Sequence, residues 1–193
     1  MNKTKRKIFE TSMKLFAEKG YDATSVEEIT SIVGVAKGTL YYHFSSKEEI
    51  FYFLVEEGMK LLQNSIAIKT AQLTSSVDKL KAIILIQCKI MSKYQDFITI
   101  VISQMWGKEP RNQRCREYVE QHINVIQKIV DEGIRNKEII DVDSEIIATE
   151  IFSTTYISLY KSIKTGSFDI KEISRDIQNM TLNGLKIRKD LLN

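Results

Sequence analysis

The sequence predicts an all-α protein: an N-terminal three-helix unit containing a helix-turn-helix, then a larger C-terminal helical bundle, about nine helices in total. Three observations lead there. Helix breakers are scarce, with one proline and eight glycines among 193 residues. Apolar residues recur every three or four positions rather than alternating. Where the periodic runs begin and end, Ser, Thr, Asp and Gly stand at positions suited to caps.

The first helix spans 3–19, with Phe9, Met13, Phe16 and Ala17 on one stripe and Gly20 as its stop. Thr24 and Ser25 precede a short apolar pattern of Val26, Ile29 and Val33, and Ser25 with Glu28 has the spacing of a capping box. That helix ends at Gly34. A second short helix follows over 36–44, and Ser46 with Glu49 marks the start of a longer one reaching about residue 69. Further helices are expected over 77–92, where Ile83 to Ile86 is apolar all round, and over 97–106, closed by Gly107. Pro110 suits the first turn of a helix to about residue 134. Residues 141–144 open another helix ending near Gly166, and Phe168-Asp169 leads into the last, to about residue 189. The expected division is a small N-terminal domain, 1–47, and a larger C-terminal one, 48–193.

The net charge of +3 lies entirely in the first 47 residues, where basic side chains outnumber acidic ones by that amount. No apolar run approaches the roughly 18 residues a membrane span needs, and Glu10 and Lys14 interrupt any signal-peptide core, so a cytoplasmic protein is expected. Cys88 and Cys115 are too few for a disulfide framework and read as reduced thiols. Phosphate-loop, nucleophile-elbow and HExxH patterns are missing, so neither an enzyme nor a cofactor is expected. No metal is expected at His43 or His122, the two histidines.

Two short helices meeting at a glycine after a longer helix read as a helix-turn-helix. At about 100° per residue, Ala36, Leu40 and Phe44 share one side of the second short helix and should face the core. The opposite side presents Gly38 and Tyr42, flanked by Thr39 and Tyr41, with Lys37 on the first turn. Tyrosine hydroxyls can bond phosphates, their rings can press on thymine methyls, and Gly38 lets backbone approach a base edge. Lys37 can donate to guanine. Thr24, Ser25 and Lys47, at helix starts, are candidates for phosphate contact.

The order Lys19-Gly20-Tyr21, Thr24-Ser25-Val26, Ile29, the run Val33 to Phe44 and Ser46-Lys47-Glu48 resembles the N-terminal domain of the TetR family of transcriptional regulators. The resemblance covers about the first 50 residues. It implies an all-helical homodimer whose recognition helix enters the major groove of double-stranded operator DNA, under control of a small molecule. It assigns Lys37, Gly38 and Tyr42 to base or near-base contact, and Thr24, Ser25, Thr39, Tyr41, His43 and Lys47 to the DNA backbone. Two departures are Ala36, where the family often has Ser, and Thr30, where it often has Ala.

Beyond residue 50 the reading rests on pattern. Phe97, Met105, Trp106, Tyr118, Phe152, Tyr156 and Tyr160, with Cys88, Met91, Gln104 and His122, are candidates as a group to line a mostly apolar effector pocket, while for any one of them core packing is the default. Trp106, beside Gly107, is expected at a movable junction close to the effector. In the last helix Ile173, Ile177, Met180 and Ile187 form a stripe kept narrow by Gly184, and Ile147, Ile151 and Thr154 form another on the helix before it. The resemblance implies that these two helices pair with their copies across a two-fold axis. The expected function is a ligand-responsive regulator: a repressor that binds a palindromic operator as a homodimer and is released by a largely apolar inducer, with no membrane partner. An all-α small-molecule carrier that no longer reads DNA is the alternative.

Overall fold

A computed structural model describes residues 1–166 and 169–185, with backbone alone at 163 and 164. Among the described residues the order is α1 (Lys3–Lys19), α2 (Val26–Val33), α3 (Lys37–His43), α4 (Lys47–Thr70), α5 (Ser76–Lys93), α6 (Gln95–Gln104), α7 (Pro110–Arg135), α8 (Ser144–Thr165) and α9 (Ile170–Leu185). The expected elements are all present. Phe168 and the last turn toward residue 189 lie outside the described residues.

Caps explain most boundaries. Asn2 accepts from the Lys5 amide at 2.8 Å, and Gly20 ends α1 at φ +88°, a region glycine enters without strain. Asp143 accepts from the amides of Glu145 and Ile146 at 3.0 and 3.2 Å, and Asp169 from Lys171 at 2.7 Å, starting α8 and α9. The carboxylate of Glu138 receives the Ser76 amide at 2.9 Å, placing a negative charge at the positive end of α5.

By packing, the chain forms two compact units. The first comprises Met1–Met59 with Tyr94–Tyr118, and the second Lys60–Lys93 with the chain from Val119 onward. This differs from the division at 47/48. Three short helices bury too little alone. Ile50, Phe51 and Leu54 of α4 are buried with Ile8, Phe16, Ile29, Leu40 and Phe44, and α6 packs on α1. In the second unit α5 packs against α8 and α9, with Leu80, Ile83 and Ile84 fully buried. Leu85 and Ile86 are half-buried, so α5 is not enclosed on every side as its apolar run implied.

Candidate nucleic-acid interface

The turn between α2 and α3 is fixed locally. Ser25 accepts from the Glu28 amide at 3.1 Å, while the Glu28 carboxylate pairs with Lys19 instead of closing the capping box. Gly34 takes the left-handed conformation, φ +76°, and the amides of Gly34 and Val35 both donate to the Thr30 carbonyl, at 2.9 and 3.1 Å. Thr30 is buried, and its hydroxyl donates to the Glu27 carbonyl at 3.0 Å. Leu40 and Phe44 plug α3 into the core. Ala36 does not join them: it is the exposed, extended residue before α3 and supplies no side-chain cap.

The opposite face of α3 is open. Tyr42 is 83% exposed and Tyr41 45%. A Cβ added at Gly38 would meet nothing within 4 Å. Thr39 and His43 are half-buried at the edges, and His43 stands edge-on to Tyr42 with ring centres 5.0 Å apart. Lys37 pairs with the Glu27 carboxylate, and this hydrogen bond raises the pKa of the ammonium and lowers that of the carboxyl. Both side chains are in water, where such a pair exchanges for a phosphate at little cost. Together Lys37, Gly38, Tyr41 and Tyr42 form one surface, with Ser25 exposed at the start of α2.

Two expected phosphate contacts sit elsewhere. Thr24 is 1% exposed, and its hydroxyl donates to the Gly20 carbonyl at 2.8 Å. Lys47 turns inward: its ammonium donates to the carbonyls of Tyr21 and Thr24 at 2.8 and 2.7 Å and lies 4.2 Å from the centre of the Tyr21 ring. Desolvation lowers its pKa. Both residues hold the turn that presents α2. No local pattern announces the cation that meets Tyr21 as well: Arg111, 4.6 Å from the ring, whose Nη2 donates to both carboxylate oxygens of Asp22 at 2.9 and 2.8 Å. The two partners are 89 positions apart in the chain, beyond any local pattern.

The candidate pocket residues divide between the units. In the first, Phe97 is buried against Gly58, where an added Cβ would run into its ring. Gln104 accepts from Asn112 at 2.7 Å and Arg111 at 3.3 Å, and Arg116 donates to the carbonyls of Met105 and Gly107 at 3.1 and 2.8 Å. This α6–α7 junction is a hydrogen-bonded bracket rather than a loose hinge. Trp106, expected to wall the effector site, is 88% exposed, because α6 ends two residues before it. Tyr118 lines a surface groove with Tyr52, Glu56 and Arg114. In the second unit Cys88, Met91, His122, Phe152 and Tyr156 are all buried, and Phe152 lies 6.0 Å from the His122 ring and 4.1 Å from that of Tyr156. Burial pushes the Cys88 and Cys115 thiols up to about 11 and about 12.

The expected dimer stripes divide between buried and exposed positions. Ile151 and Ile177 are buried within their own unit, and Ile147, Thr154 and Ile173 are half-buried. Among the described residues, the exposed large apolar side chains of α8 and α9 are Ile146, Ile157 and Met180, at 65, 59 and 76%, with Gly184 open beside them. Ile187 lies outside the described residues.

The first unit is a helix-turn-helix module of the DNA-binding class. Residues 8–52 match the model of the bacterial regulatory proteins of the tetR family. The chain is 33% identical over 120 residues to the HTH-type transcriptional regulator YerO of Bacillus subtilis (strain 168), covering 61% of this chain and 41% of that one. It is 38% identical over 76 residues to IcaR of Staphylococcus aureus (strain Newman), negative regulator of the biofilm operon icaADBC, covering 39% of this chain and 41% of that one. These alignments thus span less than half of either curated relative. A candidate fatty acid metabolism regulator of Clostridium perfringens superposes over 94% of this chain and all of its own, with 31% identity and a TM-score of 0.86. Two further structures share the fold: Bacillus subtilis FadR in complex with stearoyl-CoA (20% identity, TM-score 0.81, covering 93 and 98%) and AibR with isovaleryl coenzyme A and operator DNA (18%, 0.78, covering 92 and 97%). The chain belongs to the TetR family.

Proposed function

We propose that this protein is a cytoplasmic, ligand-responsive transcriptional repressor, without enzymatic activity, which binds a palindromic operator as a homodimer and is released by a small molecule. The observation that carries the proposal is the outward face of α3. An 83% exposed tyrosine beside an unobstructed glycine is a poor solvent surface for a helix and a good one for a groove of DNA. Tyr42, Gly38 and Lys37 then meet base edges, and Tyr41, Thr39, His43 and Ser25 meet the phosphates. Thr24 and Lys47 act behind them as positioning residues. Repression is favoured by the likeness to IcaR, and an effector with a long apolar part by the likeness to regulators of fatty acid metabolism. No helix among the described residues is long and apolar enough to cross a membrane.

For the dimer we propose the face of α8 and α9 bearing Ile146, Ile157, Met180 and Gly184. Selection of bound fragments from genomic DNA, followed by footprinting, tests the whole. The expected result is a dyad-symmetric site with half-site centres about 34–36 Å apart. Binding without sequence preference over bulk DNA would refute the regulator and favour a carrier that no longer reads DNA.

A further inference from the structure

Inside the second unit, two fully buried polar side chains spend part of their hydrogen-bonding capacity on each other. Gln87 of α5 and His122 of α7 are each 0% exposed, and their Nε2 atoms lie 2.7 Å apart. The amide donates and the ring accepts, which puts the ring proton on Nδ1. His122 Nδ1 and Gln87 Oε1 are both buried, and neither meets a protein partner. Turning the amide over and moving the proton to Nε2 exchanges the roles. The balance stays the same: one donor atom and one acceptor atom are left without a partner.

Packing alone gives no reason for this pair. Two apolar residues of the same size would avoid desolvating polar groups, and orphaned buried groups are costly and rare. The surroundings are aromatic, with the Phe152 ring 6.0 Å from that of His122 at a steep angle and Tyr156 against Phe152. Burial pushes the imidazole down to about 4, so the pair offers hydrogen bonds rather than charge.

We infer that Gln87 and His122 are the polar anchor of the effector site, and that they take a neutral group with both a donor and an acceptor, an amide or a hydroxyl, carried on an apolar molecule. The inference rests on the ligand-responsive reading above. A carboxylate fits badly, since it has no donor for Gln87 Oε1 and brings a charge against a neutral ring in an apolar core. An ether or a bare thioester offers acceptors alone. A fatty amide or alcohol donates to Gln87 Oε1 through its head group, and an acyl-coenzyme A does so through an amide of its pantetheine arm.

Calorimetric titration of the full chain with decanamide, 1-decanol, decanoate and decyl methyl ether separates these cases. The wild type is expected to bind the amide and the alcohol roughly tenfold or more tighter than the other two. The variant Gln87→Leu/His122→Leu should lose that preference while holding the ether as well as the wild type does. In wild-type protein carrying ¹⁵N-histidine, the His122 Nδ1 resonance should shift when decanamide is added. A preference that survives in the double variant overturns the inference, as does an unmoved His122 resonance with decanamide bound, or failure of all four probes to bind. Operator release by stearoyl-CoA is measured alongside. Release that is equal in both proteins removes the anchor and keeps the regulator, and release lost in the variant supports the pantetheine contact. If no compound releases the operator, the ligand-responsive reading falls and takes the anchor with it.

Discussion

The buried imidazole of His122 should tie the stability of the protein to pH. Desolvation lowers its pKa from the ordinary 6.5 to about 4. The unfolded chain takes up the proton near 6.5 and the native chain only near 4. Between those values the unfolded state binds more protons, so stability falls as the pH drops through the window. The contribution is complete above about pH 6.5 and gone below about 4. At about 1.4 kcal/mol per pKa unit the full effect is roughly 3 kcal/mol, of which roughly 2 is lost between pH 7 and 5. Urea unfolding at those two pH values, on wild type and Gln87→Leu/His122→Leu, isolates it, because every other titrating group is shared. The apolar double variant strands neither partner, so it should fold. The wild type should lose about 2 kcal/mol more than the variant. Equal losses would mean that the ring is hydrated in the folded protein, and the burial argument would be wrong.

Tyr42→Ala should weaken operator binding by ~1–3 kcal/mol in fluorescence anisotropy while leaving the helical signal and the dimer unchanged; normal binding would show that α3 does not read the operator. Lys47→Ala should cost ~1 kcal/mol in denaturant unfolding, since it strips a cation from two carbonyls, and a purely phosphate-contacting lysine would show no such loss. Ile157→Asp with Met180→Asp should sediment as a folded monomer that binds half-sites poorly. Ile177→Asp, by contrast, should unfold the second unit, and a stable monomer from it would move the interface back to the buried stripe.

The DNA-binding face was legible because what makes it is local. Gly20, Ser25 and Gly34 fix helix ends within four residues of themselves, and a seven-residue helix with Leu40 inside has to show Gly38 and Tyr42 outside. The contents of the first unit were less legible. Its core draws on Ile50, Phe51 and α6, and its turn is held by Arg111, none of which the helix-turn-helix pattern announces.

The second unit shows why periodicity stops short of function. A 3.6-residue period fixes which residues share a face, but not which way that face turns. On α9 both Ile177 and Met180 lie on the apolar stripe, and packing against α5 and α8 buries one and leaves the other 76% exposed. The same holds for α6, where an end two residues earlier than expected turned Trp106 from a pocket wall into a surface residue. Gln87 and His122 are the extreme case. Each sits on the apolar stripe of its helix, Gln87 among Ile83, Ile84 and Met91 and His122 among Val119 and Ile126, so the period marks each as inward-facing but names no partner for it. They become a site only because α5 and α7 bring together positions 35 apart, and a polar residue acquires meaning there from the apolar shell around it. The sequence could list His122 among pocket candidates by its residue type. Its partner, its neutral state and the donor and acceptor it leaves over are properties of the packed core.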